Sequence, residues 1–133
     1  MYYNRANKSK YNSKTIYAAD GKKFDSKKEY LRYMYLKDKE KDGYIKDLKT
    51  QVKYILIPAQ KEPDQVGKRG GIKKGKVIER ECAYYADFVY YDCIKNCEVV
   101  EDVKGYKAAG AYNLFTIKRK LMLYVHGIKI NEI

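Results

Sequence analysis

The sequence predicts one α/β domain in which a mixed central β-sheet is flanked by helices. Three observations carry this. The chain has 133 residues, 45% of them apolar, which is the size of a single domain with its own core. Two stretches with helical spacing, 26–42 and about 108–125, are set among short apolar runs of β type. The order is hairpin, helix, strand, loop, two strands, helix, strand, so one helix precedes the sheet and another follows its middle, an α/β or α+β arrangement.

The elements follow from local chemistry. Residues 1–14 are basic and polar without period, and are expected to form a flexible arm ahead of a domain over 15–133. Asp20-Gly21 marks the turn of a short hairpin over 15–24. Ser26 followed by Glu29 is a capping box opening the helix 26–42, and Gly43 stops it. Tyr30, Tyr33, Met34 and Lys37 mark one side of that helix, widened by Leu31 and Leu36. Residues 50–58 read as a strand whose second half is apolar on both faces. The stretch 59–80 is rich in Gly and Lys, has little to bury, and reads as a long basic loop. Residues 81–91 form a strand apolar or aromatic on both faces, hence central. One face should carry Ala83, Tyr85, Asp87 and Val89, the other Tyr84, Ala86, Phe88 and Tyr90. After a turn at 92–97, a strand at 98–104 completes a hairpin with it. Ala111, Leu114, Phe115, Lys118, Leu121, Met122 and Val125 set the spacing of the second helix, and 128–133 is a closing strand.

Lys and Arg outnumber Asp and Glu by 29 to 17, a net charge of +12. Such an excess asks for an anionic partner, and DNA or RNA is the leading candidate. A membrane is the weaker choice: there is no 18-residue apolar run and no apolar core of signal-peptide type after Met1, so a cytoplasmic protein is expected. Cys82, Cys93 and Cys97 are too few, with His126 alone, for a four-ligand zinc site, and their odd number argues against a disulfide scaffold. Sixteen Tyr suit strands and core, and some could stack on bases.

Four residues carry the chemistry: Glu29, Asp87, Asp102 and Lys104. Asp87 lies in the middle of a buried-looking strand, where an unpaired carboxylate costs several kcal/mol unless something compensates it. Asp102 and Lys104 are two apart, so on a strand they share a face while Glu101 points away. Mg²⁺ is held by one or two carboxylates plus water and phosphate, and a lysine beside it can stabilise a charged transition state. Bland readings stand beside this one. Glu29 can be only a cap, Asp102–Lys104 only a surface pair of little worth, and His126 only a structural turn residue. Lys68, Arg69, Lys73, Lys74 and Lys76 in the loop, with Lys118 and Arg119 on the second helix, are either phosphate contacts or solvated surface.

The order of Glu29, Asp87 and Asp102-x-Lys104, within "FDSKKEYLRYMYL", "QVKYILIP", "YYADFVYY" and "VVEDVKG", resembles the PD-(D/E)XK nuclease superfamily. Over about 11–133 the chain resembles a small phage-encoded family similar to archaeal-type Holliday-junction resolvases. The resemblance implies a restriction-endonuclease-like fold and a Mg²⁺- or Mn²⁺-dependent DNA endonuclease acting on duplex or branched DNA in the cytoplasm of a bacterial host. Asp87, Asp102 and Glu29 would be metal ligands and Lys104 the catalytic lysine. Symmetric cutting of a four-way junction would call for a homodimer. The chain departs from the pattern in having Ala86 where the superfamily name has Pro, and Asp102 where Glu is commoner. Two other classes stay open: a non-catalytic nucleic-acid-binding module on the same scaffold, and an inhibitor or adaptor using a Tyr-rich surface.

Overall fold

The computed structural model describes residues 15–104 and 109–133. The expected basic arm, and the segment joining Lys104 to the second helix, lie outside the described residues. In order the elements are β1 (Ile16–Tyr17), β2 (Lys23–Phe24), α1 (Lys27–Lys41), β3 (Ile45–Ile57), β4 (Gln60–Lys61), β5 (Gln65–Val66), β6 (Ile72–Lys73), β7 (Val77–Glu79), β8 (Cys82–Asp92), β9 (Cys97–Asp102), α2 (Ala109–His126) and β10 (Asn131–Glu132). Among the described residues the fold is mixed α/β, with two helices and a central four-stranded sheet in the order β10-β9-β8-β3. The β3–β8 and β8–β9 pairs are antiparallel and β9–β10 is parallel.

The two helices cover opposite faces of this sheet. Tyr33 and Leu36 of α1 pack with Phe88, Tyr90, Val99 and Val103. Phe115 and Met122 of α2 pack with Leu56, Tyr84, Ala86, Val89 and Val100. Val99 and Val100, adjacent on β9, fall into the two different clusters, as the period of 2 requires. The β1–β2 hairpin turns at Gly21 with φ +87° and lays Phe24 against Tyr33. Its Asp20 accepts a hydrogen bond from the Tyr33 hydroxyl, which clips the hairpin to α1.

Several expectations are corrected by the structure. The inward side of α1 is Tyr33 and Leu36, while Leu31 and Met34 face solvent. In α2, Leu114 and Val125 are exposed, and Phe115 and Met122 turn inward. Strand β3 starts at Ile45, well before the expected start, because a bulge between Lys46 and Lys49 breaks the alternation that would have revealed it. Asp47 and Gln51 within it adopt left-handed φ of 57° and 51°. Along β8, Tyr84, Ala86 and Val89 share one core cluster while Phe88 and Tyr90 share the other. Alternation therefore slips by one residue at Asp87, and the expected grouping of Ala86 with Phe88 does not hold. The 59–80 stretch is not a plain loop, since β4 pairs with β7 and β5 with β6. The closing strand is confined to Asn131–Glu132. All three cysteines are free.

Candidate functional site

The β8–β9 ladder runs from Asp92↔Cys97 to Phe88↔Glu101, and the next residues along it are Asp87 and Asp102. There the strands part. Instead of continuing the backbone ladder, the Val103 N–H donates to Asp87 Oδ2 at 2.8 Å. Gln51, on the other neighbouring strand, donates from Nε2 to Asp87 Oδ1 at 3.1 Å. These two donors compensate the carboxylate that the sequence placed mid-strand. Burial pushes the Asp87 carboxyl up, the Val103 N–H draws it down, and the neighbouring Asp102 charge pushes it up again.

Asp102 is buried at 6% exposure and is held from two sides. The Tyr84 hydroxyl donates to its Oδ2 at 2.6 Å, and the Lys104 ammonium sits 2.6 Å from its Oδ1. Lys104 Nζ also lies 3.3 Å from the centre of the Phe115 ring, a cation–π contact that fixes where the amine points. Burial and the Asp102 hydrogen bond both push the Tyr84 hydroxyl far up, so it remains a donor at any working pH. The Lys104 backbone is tied down as well, its carbonyl accepting from Lys28 Nζ at 2.5 Å and its N–H donating to the Ile133 carbonyl at 3.1 Å.

Glu29 enters from α1. Ser26 Oγ accepts from the Glu29 N–H at 3.1 Å, so the cap half of the expected box is formed. The Glu29 carboxyl, however, is pushed up to about 7, first by burial and then by the charges of Asp87, Asp25 and Asp102. A cap alone would not produce that. The structure brings Glu29, Asp87, Asp102 and Lys104 into one electrostatic neighbourhood in which three carboxyl groups act on one another.

That crowding of carboxyl groups is the observation that bears on a cation. Mg²⁺ prefers carboxylate oxygens and needs only one or two from the protein when phosphate and water complete the shell. Each oxygen of Asp87 and Asp102 uses one hydrogen bond or ion pair and retains acceptor capacity. The pair fits such an open site. Among the described residues no group of three His, Cys, Asp or Glu side chains is assembled to hold an ion.

The other candidate residues are placed apart from this cluster in role. Glu101, next to Asp102, points to the α1 face, 1% exposed, in a two-pronged pair with Arg32 and accepting from Tyr90 at 2.7 Å. Arg119 is engaged by Glu132 at 3.0 Å and Lys118 is half-buried. Lys68, Arg69, Lys73, Lys74 and Lys76 are all exposed on the β4–β7 arm. His126 Nε2 lies 2.7 Å from the Ile55 carbonyl, a structural contact. Sequence reasoning missed Gln51, Tyr84, Lys28 and Phe115. Only Tyr84 carried a signal, its parity on β8, and the slip at Asp87 concealed that.

Among the described residues no helix is long and apolar enough to cross a membrane. No curated protein matches the chain, and no solved structure does. Residues 8–130, nearly the whole length, match the family model described as Protein of unknown function (DUF1064), and the chain belongs to that family.

Proposed function

We propose that this chain is a Mg²⁺- or Mn²⁺-dependent DNA endonuclease of restriction-endonuclease-like fold, cutting phosphodiester bonds in duplex or branched DNA. The observation that carries the reading is the Asp102–Lys104 pair at 2.6 Å, beside Asp87 where β8 and β9 diverge. Asp87 and Asp102, with Glu29 behind them, would hold the cation. When bound, it supplies Lewis acidity toward a phosphate oxygen.

The remaining work falls to this chain's own side chains. The Lys104 ammonium, fixed between Asp102 and the Phe115 ring, stands ready to stabilise the charge that develops on the attacked phosphate. Tyr84 holds Asp102 in one rotamer, and Gln51 with the Val103 N–H does the same for Asp87. The net charge of +12 draws the polyanion in. Paired cuts on a four-way junction would need two such sites, which a homodimer provides. The setting that goes with this reading is the cytoplasm of a bacterial host carrying the phage.

A second reading has one observation in its favour. Every oxygen of Asp87 and Asp102 already has a partner within the chain. A non-catalytic nucleic-acid-binding module would need no more than that. The test incubates the protein and its Asp102→Ala variant with linear duplex, single-stranded, flap and four-way-junction DNA, with and without Mg²⁺ or Mn²⁺. Metal-dependent cutting by the wild type alone is expected. Tight binding with no cutting under either metal would replace the nuclease with the binding module.

A further inference from the structure

The arm between β3 and β8 serves no core. Every residue from 57 to 81 is exposed except Gly75, which is half-buried. It is nonetheless ordered as a two-tier ribbon. The lower tier pairs Gln60 with Glu79 and Lys61 with Val77, and the upper pairs Gln65 with Lys73 and Val66 with Ile72. Between the tiers the strands are locked. The Glu62 N–H donates to the Lys76 carbonyl at 2.9 Å, and Gly75 donates to Asp64 Oδ1 at 2.7 Å. A Cβ at Gly75 would overlap the Glu62 backbone, so only glycine permits this crossing. At the tip, Gly67 donates to the Gly71 carbonyl at 2.7 Å and Gly70 takes a φ of +81°.

An isolated two-stranded ribbon is marginal in water, and this one buries nothing. Its residues look outward instead. Seven Lys and Arg stand against three Asp and Glu over 59–80, which favours a polyanion over an acidic protein patch of fixed shape. On the upper tier Val66 and Ile72, directly paired, are 78% and 72% exposed, an apolar pair flanked by Lys68, Arg69, Lys73 and Lys74. Apolar side chains between cations suit a DNA groove, where bases offer methyl groups between two rows of phosphates. The ribbon's width selects the groove. The B-form major groove, about 12 Å wide, admits two paired strands, whereas the minor groove at about 6 Å does not.

We propose that the 59–80 ribbon is a clamp that lies in the major groove of duplex DNA, with its tip lysine and arginine on the phosphates and the Val66–Ile72 pair toward the base edges. The proposal rests on the nucleic-acid reading above but not on catalysis. It goes beyond that reading by naming the element that grips, the groove it enters and the helical form it requires.

The test measures binding by anisotropy in chelator, so that cutting plays no part, and cleavage separately with Mg²⁺. One variant, Lys68→Ala/Arg69→Ala/Lys73→Ala/Lys74→Ala, removes charge. A second, Gly75→Val, keeps every charge and breaks the crossing. The charge variant should bind B-form duplex at least about tenfold more weakly, with a salt slope shallower by about 0.9 for each phosphate that is no longer neutralised. Gly75→Val should also lose affinity, with the unfolding midpoint of both variants unchanged. An A-form RNA duplex, whose major groove is deep and narrow, should bind the wild type and both variants equally weakly. Duplex DNA binding as tight as the wild type's in either variant would overturn the clamp, and cutting by that variant would leave the nuclease standing. Tight, arm-dependent binding of the RNA duplex would overturn the groove assignment. Arm-dependent DNA binding by a wild type that never cuts would support the clamp and remove the nuclease.

Discussion

Glu101 and Asp102 are neighbours on one strand, both buried, both paired to a cation and both accepting from a tyrosine, yet they belong to different kinds of site. Glu101 faces α1, where Arg32 meets it with two prongs and Tyr90 takes the remaining demand. The planar guanidinium matches the carboxylate and engages both of its oxygens. Asp102 faces α2, where its cation is a lysine, a point charge on a flexible stem that meets only one of its two oxygens. Asp87 and Glu29 add negative charge beside it, and each raises or is raised by its carboxylate neighbours. A closed pair holds a fold together, while an open one among further carboxylates is where a ligand can be bound. Two carboxylates one residue apart separate these roles because a strand sends them to opposite faces.

Substitutions can break that contrast from either side. The largest effect is expected in catalysis. Asp102→Asn keeps the shape and the Tyr84 hydrogen bond, and Lys104→Ala removes the amine; each should slow metal-dependent cleavage by roughly a thousandfold, near 4 kcal/mol in the barrier. Urea unfolding of Asp102→Asn should move by no more than about 1 kcal/mol, whereas Lys104→Ala, which leaves Asp102 buried without its cation, should cost up to about 3 kcal/mol, so its cleavage is read below its midpoint. On the other face, Arg32→Ala leaves Glu101 buried without its partner and should cost about 3 kcal/mol of stability, read from the unfolding midpoint in urea.

Gln51 sharpens the comparison on a smaller scale. It is a non-glycine residue at φ 51° whose side chain reaches Asp87 at 3.1 Å. Gln51→Gly relieves the backbone and should raise stability by about 1 kcal/mol while lowering cleavage, since Asp87 loses a donor. Cleavage at or above the wild-type rate would show that Gln51 is not holding Asp87 for function, and a drop in stability would show that the lost hydrogen bond outweighs the backbone relief. The smallest effect concerns the cation itself. At a Mg²⁺ concentration equal to its dissociation constant the folded state should gain about 0.4 kcal/mol, roughly 2 °C in a thermal scan. Asp87→Asn should abolish that gain and Glu101→Gln should leave it intact.

The readable parts of the molecule are those where periodicity is unbroken. On β9 the period of 2 holds from Val99 to Val103, so the shared face of Asp102 and Lys104, and the turning away of Glu101, could be read from spacing alone. Ser26 marked the start of α1 and Gly43, at φ +81°, its end, because caps carry residue-specific chemistry. The rest failed where geometry departs from its period. The bulge after Lys46 hid the first half of β3, and the slip at Asp87 put Ala86 and Phe88 on different faces. Gln51 has no local signature, since nothing in a glutamine announces a left-handed backbone. Helix α2 is apolar on several sides, with Leu114, Ile117 and Leu123 exposed, so spacing could not choose its inward face. Two irregularities meet at Asp87, the slip on β8 and the left-handed Gln51 beside it, while the register shifts after Lys46 and Ile55 lie to either side.

The most direct measurement compares Asp102→Asn with Glu101→Gln in Mg²⁺-dependent cleavage of duplex and four-way-junction DNA, with the unfolding midpoint of each taken in parallel. Asp102→Asn should stay folded and stop cutting, while Glu101→Gln should lose stability and, below its midpoint, still cut. Cutting by folded Asp102→Asn at the wild-type rate, or loss of cutting by folded Glu101→Gln, would contradict this division of roles.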